Sequence, residues 1–272
     1  MEPYTVALTS CGRFDLLERT LGSLLPRLDG PLAEILIAED SGDARVHDVV
    51  RQFGDAYGRI DVILNDPPLG QIKSIDRLYS RVGTEWIFHC EDDWEFFGDG
   101  FIEKSFAILE EFDHYSMVHL RDPAELTPHY FFPEAVASSG VRYRAVNPAV
   151  APVFSGLSFN PGLRRMRDYR IVGPYAGLRF PSNEFQVAWS YRQLGYLLAC
   201  LAEPAVRHIG NERHVRDQAK PPDFASTLSR SIRKRWFRLR RTLSPERDPI
   251  VQARRRMEQA GLSFPPSGDR GA

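Results

Sequence analysis

Residues 86–93, WIFHCEDD, run a stretch of apolar side chains directly into three consecutive carboxylates. Trp86, Ile87 and Phe88 show no polar alternation, so they read as a strand buried on both faces, the kind found inside a parallel sheet. Glu91, Asp92 and Asp93 then emerge together where that strand ends. Three adjacent negative charges repel one another, and each needs a partner or water to stay ionised. A divalent cation, and through it a phosphate, supplies such a partner. The alternative is a solvated turn, since Asp is frequent in turns.

The flanking pattern places this strand in a repeating layout. Residues 4–9 (YTVALT) read as a strand, followed by a turn at Cys11-Gly12 and an amphipathic helix over 14–25. EILIAED (34–40) is a second strand that ends in acids, and 46–53 suits a short helix. IDVILN (60–65) is a third strand. Gly70 opens a helix to about residue 82, with Ile72, Ile75, Leu78, Tyr79 and Val82 at helical spacing. Strands alternating with helices predict a parallel sheet covered on both faces. Ligands of such sheets gather outside the carboxyl ends of the strands, and Glu39-Asp40 and Glu91-Asp92-Asp93 belong to that one edge. Further on, a helix is expected at 101–112 and a strand at 115–120, with strands and loops over 121–160. A helix with Ser182 as N-cap and an apolar face including Phe185, Val187, Ala188, Tyr191 and Leu194 comes next. One strand or a strand pair is expected at 197–210.

Composition narrows the classes. With 43% hydrophobic and 26% charged residues, the chain has the balance of a globular protein with a sizeable core. No run of 18 apolar residues spans a membrane, and MEPYTVALTS lacks the basic and apolar regions of a signal peptide. Cys11, Cys90 and Cys200 are odd in number and widely spaced, which reads as reduced thiols in a cytoplasmic protein. The net charge of −1 conceals an asymmetry: from Arg230 onward there are 12 basic and 4 acidic residues, leaving about −9 for everything before. The acidic body argues against a nucleic-acid partner.

Taken in order, TSCGRFDLLERTLGSLL, IAEDSGD, LGQIKSIDRLYSRVGTEWIFHCEDD and the segment FSGLSFNPG to HIG resemble the GT-A glycosyltransferases, family 2 in particular, over residues 4–212. The fold this implies is α/β, a Rossmann-like and mostly parallel sheet flanked by helices, over 1–220. A basic helical extension follows at 221–272. The implied activity is transfer of a sugar from a nucleotide-sugar donor to a hydroxyl acceptor, saccharide or lipid-linked, with inversion and with Mn²⁺ or Mg²⁺. Cell-surface polysaccharide or glycolipid synthesis is the setting it suggests.

By resemblance, the loop beside Thr9 and Ser10 borders the nucleotide, although helix capping explains these residues equally well. Asp40 matches the acid that accepts a hydrogen bond from the base; a turn-forming Asp is the alternative. Lys73 or Arg77 faces the diphosphate or lies on a solvated helix face, and Asp76 stands where the family usually has Asn. In the DxD position, Asp92 belongs to the donor site and Asp93 ligates the metal. Glu91 reaches the ribose or a metal-bound water, its extra methylene departing from the usual Asp. Glu184 takes the place of the catalytic base, although Asn183-Glu184 replaces the family's usual Glu-Asp pair, and an acid at a helix N-terminus is also simply favourable. His208 matches the late histidine that completes metal or diphosphate binding, with His214 as fallback. Arg164 and Arg165 are candidates for phosphate or acceptor contact.

Residues 230–243 interleave arginines with Ile232, Trp236, Phe237, Leu239 and Leu243. This segment either lies on an anionic membrane surface, making the protein peripheral on the inner face, or packs on the domain or on another copy. Two rival readings of the whole chain are a nucleotidyltransferase and a catalytically silent GT-A-like scaffold. Against the first, no Gly-rich basic loop follows the first strand.

Overall fold

The computed structural model describes residues 1–54, 60–125, 130–151, 154–178, 183–210, 246 and 248–265. Strands are β1 (Tyr4–Ser10), β2 (Leu32–Glu39), β3 (Ile60–Leu64), β4 (Trp86–Glu91), β5 (Trp94–Phe96), β6 (Tyr115–His119), β7 (Ala135–Val136), β8 (Arg142–Ala145), β9 (Gly162–Arg165), β10 (Leu197–Leu201) and β11 (Val206–His208). Helices are α1 (Phe14–Leu24), α2 (Val46–Arg51), α3 (Gln71–Tyr79), α4 (Phe101–Glu111), α5 (Met166–Val172), α6 (Glu184–Gln193) and α7 (Pro249–Gln259).

The main sheet runs β3-β2-β1-β4-β9-β6-β10-β8-β7. Its first half, β3-β2-β1-β4, is parallel throughout, as the strand-helix alternation requires. β9 then enters antiparallel between β4 and β6. It fits because Gly162 lets the backbones close up; a Cβ there would lie 2.4 Å from the Val118 carbonyl oxygen. β10 restores the parallel direction beside β6, and β8 and β7 finish the edge antiparallel.

Side chains alternate across the sheet and so divide the core into two layers. Tyr4, Val6 and Leu8 of β1 and Trp86, Phe88 and Cys90 of β4 pack with α1 and α4 on one face. Ala7 and Ile87 face the other way, toward α3, α5, α6 and α7. α7 begins at Pro249, capped by the Asp248 carboxylate, and buries Ala253 and Met257 against the second layer. Residues 248–265 of the expected extension therefore pack on the domain, whereas the 220/221 boundary and the basic segment 230–243 lie outside the described residues. Ser182 also lies outside them; Asn183 caps α6 by accepting from the Gln186 N–H. Phe185, expected on the apolar face of that helix, is exposed and meets Phe154 edge to face at 6.4 Å. Cys11, Cys90 and Cys200 are free thiols. No helix among the described residues is long and apolar enough to cross a membrane.

Two histidines are enclosed as neutral groups. His119 ends β6, its Nδ1 accepting from the Arg121 N–H at 3.0 Å, and its Nε2 lies 2.7 Å from the Asn160 side-chain amide. Burial, reinforced by Arg121 and Arg164, drives its pKa down to about 3. His89 in β4 is likewise held well below the ordinary value by burial and Arg164. On acidification through pH 6.5 the unfolded chain takes up protons that these rings refuse, so stability falls with pH. Between pH 6.5 and 5 each ring should remove about 2 kcal/mol. Urea unfolding should accordingly show a gap between the wild type and His119→Asn that narrows as pH drops from 7 to 5. A gap independent of pH would mean that the ring is protonated in the folded state.

Candidate active site

The acidic strand ends meet as the register dictates. Ser10 of β1 pairs with Glu39 of β2 on one side, and Thr9 pairs with Glu91 of β4 on the other. Several acids therefore leave the sheet along one edge, and the loops beyond the strands decide what each of them does.

Glu39 and Asp40 serve those loops. Glu39 accepts through Oε1 from the backbone N–H groups of Gly12 (2.9 Å) and Ser41 (2.8 Å). Asp40 Oδ1 accepts from Asn65 Nδ2, Leu69 N and Ser74 Oγ at 2.7–2.9 Å, and its Oδ2 accepts from Gly70 N at 2.8 Å. A carboxylate offers about four acceptor positions, so Asp40 is committed to holding the approach to α3. The contact with the base expected of Asp40 is a proposal beside this structural role. Thr9 and Ser10 are buried. Ser10 Oγ donates to Asp92 Oδ2 at 3.3 Å, and α1 begins at Phe14 with no side-chain cap, which removes the capping alternative.

At the end of β4 the three acids part company. Asp92 turns inward and is buried, where it meets Arg13: NH2 reaches Oδ1, and Nε lies 3.3 Å from Oδ2. Cys11 N also donates to Oδ2, at 3.3 Å. Asp92 thus fixes the β1–α1 loop and is withdrawn from the donor side where the sequence reading put it. Burial pushes its pKa up to about 6 although Arg13 pulls the other way. Thr20 of α1 ties the same turn, donating to the Asp92 carbonyl at 2.8 Å and accepting from Trp94 N at 3.2 Å.

Asp93 and His208 come together for a reason visible only in the fold. β5 pairs antiparallel with β11, matching Trp94 to His208, and Ile209 N donates to the Asp93 carbonyl at 2.8 Å. His208 Nε2 then lies 3.2 Å from Asp93 Oδ2, and Arg13 NH1 lies 2.8 Å from the same oxygen. Gly210 makes room, since a Cβ at that position would stand 2.6 Å from Asp93 Oδ2. Burial raises the Asp93 pKa, but His208 and Arg13 outweigh it and the net shift is downward. Asp93 Oδ1 is buried without a hydrogen-bond partner.

That orphaned oxygen is the observation against which a metal can be tested. A buried carboxylate oxygen beside an imidazole is a suitable donor pair for Mn²⁺ or Mg²⁺. Among the described residues no group of three or more His, Cys, Asp or Glu could hold a metal ion. The described residues would therefore offer one or two ligands, and a Mg²⁺ site usually completes its shell with phosphate and water.

Glu91 accepts from Gln71 Nε2, at the start of α3, at 2.8 Å. Enclosure raises its pKa to about 8, helped by the charges of Asp93 and Glu184. Glu184, opening α6, is therefore near enough to act on Glu91 electrostatically. Its Oε1 accepts from Phe159 N at 2.9 Å and Ser158 Oγ at 3.1 Å. Residues 158–160 are held from behind by Arg164, whose NH2 donates to the Ser158 carbonyl at 2.6 Å and the Asn160 carbonyl at 3.2 Å. Arg164 and Arg165 are both buried, and Arg165 caps the carbonyls of Leu109 and Tyr115. Their expected contacts with phosphate or acceptor give way to this structural work. Lys73 and Arg77 are exposed on α3, Arg77 donating to Asn65 Oδ1 at 2.6 Å. Asp76 accepts from Tyr169 OH and from the N–H groups of Tyr175 and Ala176, tying α3 to the segment after α5. His214 lies outside the described residues.

Sequence reasoning missed Arg13, Gln71 and Ser158. Each is a common residue in a loop or at a helix start, with no local signal of its partner. The facing charges of Asp92 and Asp93 were the only hint of Arg13.

The same architecture occurs in solved glycosyltransferases. GalNAc-T7, determined with UDP, GalNAc and Mn²⁺, is similar at a TM-score of 0.58 and 15% identity over 96% of this chain and 55% of its own. S. aureus TarS residues 1–349 with UDP-GlcNAc give 0.55 and 13%, over 82% of this chain and 62% of that one. The mannosyltransferase PcManGT from Pyrobaculum calidifontis, with GDP-Man and Mn²⁺, gives 0.56 and 12%, over 97% and 77%. The chain thus spans less than two thirds of the first two of these proteins, and at such identities the likeness is one of fold. No curated protein sequence matches it. Residues 5–147, more than half of the 272, match the family described as Glycosyl transferase family 2, and the chain belongs to that family.

Proposed function

We propose that the protein transfers a sugar from a nucleoside-diphosphate sugar to a hydroxyl acceptor with inversion at the anomeric carbon. The observation that carries this reading is Asp93 set against His208, beside a Glu91 that feels the charge of Glu184, in a family 2 chain. Nucleotide sugars in the TarS and PcManGT structures, and Mn²⁺ in those of GalNAc-T7 and PcManGT, support the choice of donor and metal.

Asp93, through Oδ1, and His208 would hold Mn²⁺ or Mg²⁺. When bound, the ion would offset the charge of the departing nucleoside diphosphate. Glu91, steadied by Gln71, faces the donor from the floor of the site. Glu184 is the base. With Oε1 fixed by Ser158 and Phe159, Oε2 takes the proton of the acceptor hydroxyl while its oxygen attacks the anomeric carbon. The bond between that carbon and the diphosphate breaks, and its electron pair leaves with the diphosphate. Glycolipid or cell-surface polysaccharide synthesis is the setting proposed, with the basic segment 230–243 on an anionic membrane surface.

Asp93→Asn should weaken Mn²⁺-dependent binding of the nucleoside diphosphate about 10- to 100-fold in calorimetry. Unchanged metal-dependent binding would sink the assignment of Asp93. Glu184→Gln preserves the acceptor for Ser158 and Phe159 but cannot take a proton. Its kcat should fall about 10²- to 10⁴-fold while nucleotide affinity is retained; near-normal transfer would place the base elsewhere.

A further inference from the structure

Arg13 puts a fixed positive charge where a metal would otherwise bring one. Its guanidinium lies across both acids of the β4–β5 turn, with NH1 2.8 Å from Asp93 Oδ2 and its Nε and NH2 on Asp92. Asp92 is thereby closed to other ligands, since its buried carboxylate also takes Ser10 Oγ and Cys11 N. Asp93 has one oxygen engaged by Arg13 and His208, and only Oδ1 remains without a hydrogen-bond partner. A divalent ion on Asp93 and His208 would sit a few ångströms from the guanidinium, and two cations at that separation repel. A diphosphate reverses the balance, because its charge attracts both and its oxygens complete the metal's ligand shell.

We propose that Arg13 is a built-in counter-ion that makes divalent-metal binding conditional on a diphosphate. Alone, the guanidinium neutralises the acidic turn and keeps the metal out; with a diphosphate present, ion and guanidinium share its charge. The inference rests on Asp93 and His208 as the metal's protein ligands. Arg13 is thus a positioning residue for the acids and an electrostatic gate for the metal.

The test is calorimetry on the full chain, titrating Mn²⁺ alone and then the preformed manganese–pyrophosphate complex, which frees the result from the identity of the base. The wild type should bind the complex at least about tenfold more tightly than the ion alone. Arg13→Gln should bind Mn²⁺ alone about tenfold more tightly than the wild type, and Arg13→Lys, which keeps the charge, should resemble the wild type. If Arg13→Gln folds poorly because Asp92 is left unpaired, the same change is made in the Asp92→Asn background, where Arg13→Gln with Asp92→Asn should bind Mn²⁺ alone about tenfold more tightly than Asp92→Asn by itself. Mn²⁺ affinity unchanged or weakened in these charge-removing variants, with native circular dichroism, overturns the gate. Asp93→Asn separates the two ideas: if it leaves binding of the complex intact, the metal assignment itself has failed.

Discussion

The ion pair between Arg13 and Asp92 joins two segments that are about eighty residues apart in the chain, the loop after β1 and the turn after β4. Neither segment has regular structure to hold it. The loop is fixed because Asp92 accepts from Ser10, Cys11 and Arg13, and the turn is fixed because Thr20 grips Asp92 and Trp94 through their backbones. Only with that turn set does β5 leave in the direction that pairs it with β11 and delivers His208 to Asp93. Breaking a buried pair by removing one partner typically costs about 3–5 kcal/mol, because a charge is left uncompensated. Much of the site's geometry is hung on that contact.

The acids at the sheet edge fall into two groups by what they face. Glu39, Asp40 and Asp92 point into the protein and accept from backbone N–H groups of the loops that follow the strands. Loops packed over a buried edge carry N–H groups that need acceptors, and carboxylates satisfy two or more apiece. Glu91, Asp93 and Glu184 form the other group; burial drives the Glu91 pKa up to about 8, and the charges of Asp93 and Glu184 add to it. An acid-rich strand end is therefore partly a device for building loops and only partly a site. A reading that assigns every such acid to a ligand overcounts.

This explains what was and was not legible in the sequence. The strands of the parallel half, α1, α3 and α4 follow from apolar period, because each buries one continuous face. The meeting of Asp93 with His208 followed only from family order; the pairing of β5 with β11 that causes it is a contact between segments over a hundred residues apart. β9 was hidden for a related reason. Gly162–Arg165 holds two arginines yet is wholly buried, since the guanidinium groups find backbone carbonyls of other elements. Local pattern treats such arginines as surface residues and looks for a ligand to occupy them. Phe185 failed in the same way, its surroundings being set by a segment distant in sequence.

The two groups of loops around these acids are stiffened by opposite chemistry. At the ends of β1, β2 and β4, carboxylates gather backbone N–H groups around Glu39, Asp40 and Asp92. On the other side, the buried guanidinium of Arg164 gathers the carbonyls of Ser158 and Asn160, and the turn so formed presents Ser158 Oγ and Phe159 N to Glu184. The same guanidinium reaches Tyr79 OH at 3.1 Å, and Tyr79 OH in turn meets His89 Nδ1 at 2.9 Å. Arg164 also adds to the burial that keeps His89 and His119 neutral. Because the guanidinium acts through backbone carbonyls, it orders the turn that holds Glu184 without itself engaging that carboxylate.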